Sequence, residues 1–417
     1  MHEPPSVEPA NPDSTPFPNG AFVRYLIGEG ISITGSWMQA MAAGWVMADL
    51  TSSAIMLAFA NLVSGIPMIA LSTVGGLFAD KFDKRMILQV CQVVQIILSL
   101  YVGYLISTER LEMWHIFVTT FLGGLSAAFE MPAASALVPE LVGRAHVARA
   151  IAVDRAVFHG TRLVGPALAG YLVGRYGPAS TFYINAATFL ALMIALLTLP
   201  PRPQGTAEQE EKRQHGMGEG FRHVFNDRPS FAMILLMATN TVFVFPMMVI
   251  LLPLYAKNVL VISPQEMGLL MLSSGLGSLT GSLGVLRVKR SWRPKVIATA
   301  VAVICCALFS LSLANSFYWA AGTLVCLALG VSSLIALSNT VVQERAPDEI
   351  RGRVAAVAGL SFFGLLPFAG MIMAAVADWI DIRHALLYSS CCYAVIGIIV
   401  LWWAGDAAGE EVLPTQA

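Results

Sequence analysis

The chain reads as an all-α membrane protein of twelve transmembrane helices in two pseudo-symmetric six-helix halves. Three observations predict this. Hydrophobic residues make up 56% of the 417 residues, charged residues only 12%, and mean hydropathy is +0.69, whereas a soluble domain is about one quarter charged. Twelve apolar runs follow one another, each long enough to cross roughly 30 Å of hydrocarbon. Nineteen of the 25 Lys and Arg residues fall in or beside loops 2–3, 4–5, 6–7, 8–9 and 10–11, against four in the loops between them. Basic residues gather on the cytoplasmic side, so this alternation places both termini in the cytoplasm. Backbone polar groups in hydrocarbon need internal partners, which makes each run a helix.

Residues 1–20, rich in Pro, Glu, Asp and Asn, read as a disordered cytoplasmic tail, because they lack the basic start and cleavage pattern of a signal peptide. The N-terminal half, 21–199, is expected to hold spans at 21–48, 53–78, 85–107, 113–137, 150–174 and 179–199. A polar cytoplasmic linker, 200–229, follows, and its end from Gly220 to Phe225 fits a short helix on the membrane surface. The C-terminal half, 230–403, is expected to hold spans at 230–256, 265–287, 295–314, 317–341, 352–377 and 384–403. Residues 404–417 form a second cytoplasmic tail. The halves carry a trace of repetition: Glu140 and Arg149 in loop 4–5 match Glu344 and Arg353 in loop 10–11, both displaced by 204 positions. Two six-helix units in parallel repeat are a transporter layout. Trp114, Trp319 and Trp379 fall at one interface and Trp292, Trp402 and Trp403 at the other, where indole rings anchor.

The most informative loop is Gly75–Leu88. Gly75 and Gly76 would let two helices approach just before a turn, and Asp80, Lys81, Asp83, Lys84 and Arg85 follow in a tight charged cluster. From Gly76 to Arg85 the stretch resembles the helix 2–3 signature of the major facilitator superfamily, in which Gly, three residues, Asp, a basic residue, any residue, Gly and a basic pair succeed one another. Asp83 stands where Gly is usual. An acid there is similar to the branch containing the enterobactin exporter and macrolide efflux proteins. Loop 8–9 repeats the basic cluster as Arg287–Arg290 without a counterpart of Asp80. The resemblance implies a latch: Asp80, stabilised by a helix dipole, docks near Arg351 and Arg353 at the cytoplasmic end of helix 11, with Gly76, Lys84 and Arg85 as its frame. Span 5 carries Gly165, Pro166 and Gly170, similar to the helix-5 signature of antiporters in this superfamily, with Thr161 and Ala169 replacing two of its glycines. Pro166 removes a helix hydrogen bond, and its small neighbours permit close packing.

Charge at membrane depth costs roughly 2.5–3.5 kcal/mol per group and defaults to a functional expectation. Glu29, Glu130, Asp154 and Arg162 stand out. In the family fold helices 1 and 4 line the central cavity, which implies that Glu29 and Glu130 face the path. Arg162 needs a partner, Glu130 being the first candidate and Asp154 the second. Either Glu130 or Glu29 is expected to take up and release a proton, although a fixed ion pair between spans 4 and 5 accounts equally for Glu130 and Arg162. Trp37, Trp45, Phe129, Phe243, Phe245 and Phe362 are candidates for an apolar cavity wall, with packing as the alternative for most.

No phosphate-binding loop and no zinc-type His and Cys spacing occurs in the sequence, so no enzymatic activity, ATP motor, cofactor or metal centre is expected. The six cysteines lie inside apolar runs. The sequence predicts a monomeric secondary transporter of the bacterial cytoplasmic membrane. Its partners are a small organic substrate, protons and the lipid bilayer, and nucleic acid is not among them. The resemblance implies export of a drug, antibiotic or siderophore by proton antiport with alternating access. A nickel-type metal exporter and a non-transporting membrane sensor or scaffold are the alternatives.

Overall fold

The computed structural model describes residues 18–143, 146–199, 218–347 and 349–410. Most of the N-terminal tail, the first part of the linker and the last seven residues lie outside that range.

Six long helices make the first half: α1 (Gly20–Leu50), α2 (Ala54–Lys81), α3 (Lys84–Ser107), α4 (Met113–Val142), α5 (Val147–Tyr176) and α6 (Ala179–Leu197). A short helix, α7 (Gly218–Asn226), occupies the end of the linker where the sequence suggested one. The second half comprises α8 (Arg228–Phe243), α9 (Pro264–Val285), α10 (Arg293–Leu313), α11 (Phe317–Arg345), α12 (Arg351–Phe363), α13 (Leu366–Ile380) and α14 (Ile382–Glu410). Among the described residues ten spans are long and apolar enough to cross a membrane. The two other long helices, α1 and α5, carry charged and small polar residues along their length and pack among the ten, an arrangement consistent with twelve spans.

Two spans depart from regular helix. Beyond α8 the chain runs through π-helical turns at Met247–Leu251 and Tyr255–Val259, on either side of a single α-turn at Leu252–Leu254. Pro246 and Pro253 supply the cause, because neither can donate to the helical ladder. The eleventh span breaks at Gly364 and Leu365 into α12 and α13, with Pro367 in the first turn of α13.

The packing repeats between halves. In the first half α2 packs on α4, α1 on α6, and α3 on both α4 and α6. In the second α9 packs on α11, α8 on α14, and α10 on both α11 and α14. Two seams join the halves, α5 against α9 and α2 against α13. A shift of six spans converts one seam into the other, the geometry of a pseudo-twofold axis.

Glycine sets the closeness of these contacts. A Cβ on Gly75 would lie 2.0 Å from the Ala128 carbonyl oxygen of α4, whereas one on Gly76 would meet nothing within 4 Å. Close approach before the turn therefore belongs to Gly75 alone, because one turn position faces α4 and the next faces away.

Candidate transport site

Three elements bring their acids to one place. Tyr25 and Glu29 on α1, Glu130 on α4 and Asp154 on α5 line a cavity of about 310 Å³ with Ser32, Arg155 and Phe158. Tyr25 Oη donates to Glu29 Oε1 at 2.9 Å. The second oxygen, Oε2, is closed off from solvent with no hydrogen-bond donor facing it. The Asp154 carboxyl lies within hydrogen-bonding reach of Glu29. Two ionised carboxylates only accept hydrogen bonds, so this contact becomes a bond when one of the pair holds a proton. Glu130 is held differently: Gln92 Nε2, wholly buried on α3, donates to its Oε1 at 2.9 Å.

Arg162 does not pair with Glu130, nor with Asp154. Its guanidinium lies 5.3 Å from the centre of the Trp37 ring, and Trp37 packs edge-on against Phe158 at 6.1 Å. Arg162 lies two turns along α5 from the acid cavity, on the stretch packed against α1. There the indole face offers a cation partner that needs no second charge. Asp154 instead has Arg155 Nε at 4.0 Å.

The helix-5 motif faces both halves. A Cβ on Gly165 would stand 2.9 Å from the Thr34 carbonyl oxygen of α1, and one on Gly170 would stand 2.8 Å from the Pro264 carbonyl oxygen of α9. The Pro166 carbonyl oxygen lies against Gly268 of α9, 2.6 Å from where a Cβ would sit. These residues let α5 wedge between its own half and the other.

In loop 2–3, Asp83 caps α3 by accepting from Arg85 N at 2.9 Å, and it grips the Arg85 guanidinium at 2.5 Å. Its φ of −60° is open to any residue, so the glycine usual at this position in the family is not needed here. Hydrogen bonds from Arg85 hold the Asp83 carboxyl below its usual range. Arg85 Nη1 also donates to Leu199 O at 2.7 Å, and Lys84 pairs with Glu140 at 2.7 Å. Asp80 sits exposed in the last turn of α2. Arg353 bonds Glu219 of α7, and Arg351 Nε donates to Gln343 O at 3.3 Å.

The bonds between halves gather at the end of the bundle opposite the termini. Lys257 Nζ meets Asp49 at 2.5 Å and donates to Ala48 O at 2.8 Å. Asp378, at the end of α13, accepts from Ala54 N at 2.6 Å, Ser53 Oγ at 2.6 Å and Ile55 N at 3.1 Å. It thus caps α2 from the opposite half. Gly44 makes room for Pro253, and Gly65 for Pro367. At the termini end the described pairs Lys84–Glu140, Arg293–Glu344 and Arg345–Asp227 each stay within one half.

Two further cavities, about 210 and 250 Å³, share Ala43, Ser64 and Thr120. The first adds Gln39, Gln95 and Thr119. The second reaches across to the other half and is walled by Met41, Met47, Met248, Met267 and Met271. The expected aromatic wall is elsewhere: Phe245 and Phe362 pack on each other at 4.6 Å, and Phe129 faces a separate groove between α2, α3 and α4. None of the described residues forms a group of three or more His, Cys, Asp or Glu suited to holding a metal ion.

Of these residues, sequence reasoning found Glu29, Glu130 and Asp154. It missed Tyr25, Gln92, Gln95, Asp49, Lys257 and Asp378. Gln92 and Gln95 did carry a signal, since two amides three apart in an apolar helix share one face. The Asp378 contact joins residues more than 300 positions apart and leaves no local trace.

Comparison with known proteins places the chain. A family described as transmembrane secretion effector matches residues 12–411. The multidrug efflux pump Tap of Mycolicibacterium fortuitum is 22% identical over 379 residues, covering 88% of this chain and 92% of the pump. Macrolide efflux protein A of Streptococcus pyogenes is 21% identical over 384 residues, covering 91% and 94%. Among solved structures, a bacterial homologue of the human lysosomal transporter Spinster, inward-facing and unoccupied, aligns with a TM-score of 0.72 at 14% identity over 95% of this chain and 100% of that one. With its all-helical bundle of repeated halves and its full-length match, the chain belongs to the transmembrane secretion effector family of major facilitator transporters, and it is a membrane transporter rather than an enzyme.

Proposed function

We propose that this protein exports a small amphipathic organic molecule from the cytoplasm by proton antiport with alternating access. The carboxyl pair Glu29–Asp154 carries the reading. It is an arrangement suited to exchanging a proton, and it lines a cavity between α1, α4 and α5 toward the termini end of the bundle. Membrane-depth carboxyls with a neighbouring titratable group are proton sites by default. The likeness to multidrug and macrolide efflux pumps supports an organic substrate.

The basic loops put both termini in the cytoplasm. The seams bonded at the far end then correspond to a state closed to the outside. In the cycle, the bonds of Asp378 and Lys257 release as the outside opens, and Asp80 docks near Arg351 and Arg353 to close the inside. Tyr25 and the Gln92 amide position the acids, and α5 slides at its glycine face.

The test is accumulation of amphipathic fluorescent dyes in cells with and without the protein, repeated after a protonophore. Lower accumulation that the protonophore abolishes is expected. Glu29→Gln and Glu130→Gln should each lose coupled efflux while reaching the membrane normally. Protonophore-insensitive export would overturn the proton mechanism.

A further inference from the structure

The acid cavity and the two central cavities share no lining residue. Along α1 from Glu29 to Gln39, and along α4 from Thr120 to Glu130, the helix rises roughly 15 Å. No charged side chain lines either central cavity. Lys257 and Asp49, toward the far end of the bundle, are paired with each other. The central cavities adjoin at Ala43, Ser64 and Thr120, so a polar end inside the first half leads to a methionine-walled end between the halves. Gln39 sets the chemistry of the polar end. Its Oε1 accepts from Ser99 Oγ at 2.7 Å and from Asn185 Nδ2 at 2.8 Å, both buried side chains. Asn185 Oδ1 in turn accepts from Thr188 Oγ1 at 2.8 Å. Both bonds to Gln39 fall on its oxygen, which leaves the Nε2 amide for the cavity. Thr119 and Thr120 donate their hydroxyls at 2.8 Å to His115 O and Ile116 O of their own helix.

We propose that the two central cavities together bind an uncharged amphipathic molecule, whose carbonyl oxygen accepts from Gln39 Nε2 and whose apolar body lies against the methionines of both halves. This deepens the export reading above and rests on it for the direction of movement. An ionised group brought from water into this space meets no counter-charge, and burying an unpaired charge costs far more than burying a neutral dipole. A carbonyl oxygen, by contrast, satisfies an amide donor. The methionine wall draws on both halves. Met41 and Met47 come from α1, Met248 from the π-helical segment beyond α8, and Met267 and Met271 from α9. Thioether side chains are soft and unbranched, so they adapt to bodies of different outline. Selection therefore falls on charge and on one oxygen, while the shape of the body is free to vary. A few placed polar groups on a mostly apolar wall are the usual way a pocket fixes the orientation of its ligand. The ligand touches no residue of the acid cavity, so its binding and proton exchange can be measured apart.

The probe is benzophenone, an uncharged ketone, added to purified full-length protein in detergent and excited with near-ultraviolet light. Its excited carbonyl inserts into C–H bonds, readily into those beside a thioether sulfur, so adducts mapped by mass spectrometry show which methionines it reaches. Labelling of Met248 and Met271 should saturate with concentration, whereas the exposed Met56 and Met86 should rise in proportion to it. A benzophenone bearing a trimethylammoniomethyl arm carries the same reactive group with a fixed positive charge. It should label the cavity methionines at least about ten-fold less. Dicyclohexyl ketone should suppress cavity labelling at a concentration roughly ten-fold lower than dicyclohexylmethane, which has the same body and no oxygen. In Gln39→Leu the two competitors should become equal. Cavity methionines that never saturate, and follow Met56 and Met86, overturn the site. Equal labelling by the cationic and neutral ketones overturns the uncharged class, and equal suppression by ketone and hydrocarbon in the wild type overturns the Gln39 contact; neither result needs a variant to fold. No proton gradient is present in this experiment. Failed labelling beside protonophore-sensitive export would therefore remove this inference alone, and intact labelling beside protonophore-insensitive export would remove the antiport reading alone.

Discussion

At the scale of single residues, polar groups in this bundle are placed by what satisfies them. Asp227 illustrates the rule outside the membrane spans. It caps α8 by accepting from Ser230 N at 3.1 Å and takes a two-pronged bond from Arg345 at 2.8 Å. Burial pushes its carboxyl upward, but the bonds from Arg345 and Ser230 outweigh this, and the group titrates below its ordinary range. A depressed folded-state pKa contributes stability above the unfolded value and loses it as pH falls through the folded one. Asp227→Asn keeps the cap and loses the ion pair, so it should cost about 1–2 kcal/mol near neutrality. Melting curves of wild type and variant should stay apart above about pH 5 and converge below about pH 4. Arg162 teaches the complementary point. A lone cation in a span suggests an acidic partner, yet the Trp37 face serves it. Trp37→Ala should therefore lower Arg162-dependent stability by about 1–2 kcal/mol, read as the coupling energy, a departure from additivity, in a double-mutant cycle with Arg162→Met. Strict additivity of the two losses would refute the contact.

At the scale of elements, contact distance depends on glycine, and adjacent glycines have opposite roles. Gly75→Ala drives a methyl into the Ala128 carbonyl of α4 and should cost roughly 1–3 kcal/mol. Gly76→Ala faces open space and should be neutral or slightly stabilising, through its effect on the unfolded chain. Thermal stability in detergent separates the two. On α5, Gly170→Leu should stop transport while the separate halves still fold, because the added side chain meets α9 backbone across the seam. A transport assay with a surface-expression control decides it. The same element scale explains the broken spans. Pro253 and Pro367 each interrupt a helix, and each sits in the other half's glycine notch, at Gly44 and Gly65. A proline that weakens its own helix thus fits a neighbour lacking a side chain.

At the scale of the whole molecule, the position of the inter-half bonds sets the state. Asp378 supplies three bonds to the start of α2, and Lys257 bridges to α1. Asp378→Ala leaves the first N–H groups of α2 uncapped from across the seam. It should shift the balance toward the outward-open state by about 1–3 kcal/mol, a several-fold to hundred-fold change in populations. Spin labels at the outer ends of α2 and α13 should then report a longer distance, and an unchanged distribution would show that other contacts hold the seam. Asp80→Asn should bias the other way, by weakening closure on the cytoplasmic side.

The architecture was legible in the chain because its causes are local. Hydrocarbon demands about 20 apolar residues per helix and internal backbone bonding, so composition and run length predict the rods. Loop charge predicts their alternation, and the surface helix at Gly218–Asn226 and the acids at Glu29, Glu130 and Asp154 follow from polar residues in unusual places. Pairing was not legible. Which acid meets which partner depends on helix rotation and on the approach of α1, α4 and α5, and hydropathy is nearly blind to rotation when a helix is apolar on all sides. Only the tertiary structure could set Glu29 against Asp154, give Glu130 to Gln92 of α3, turn Arg162 to Trp37 and cap α2 with Asp378 from the far half. Those contacts arise where backbones close to within a few ångströms across hundreds of residues of chain.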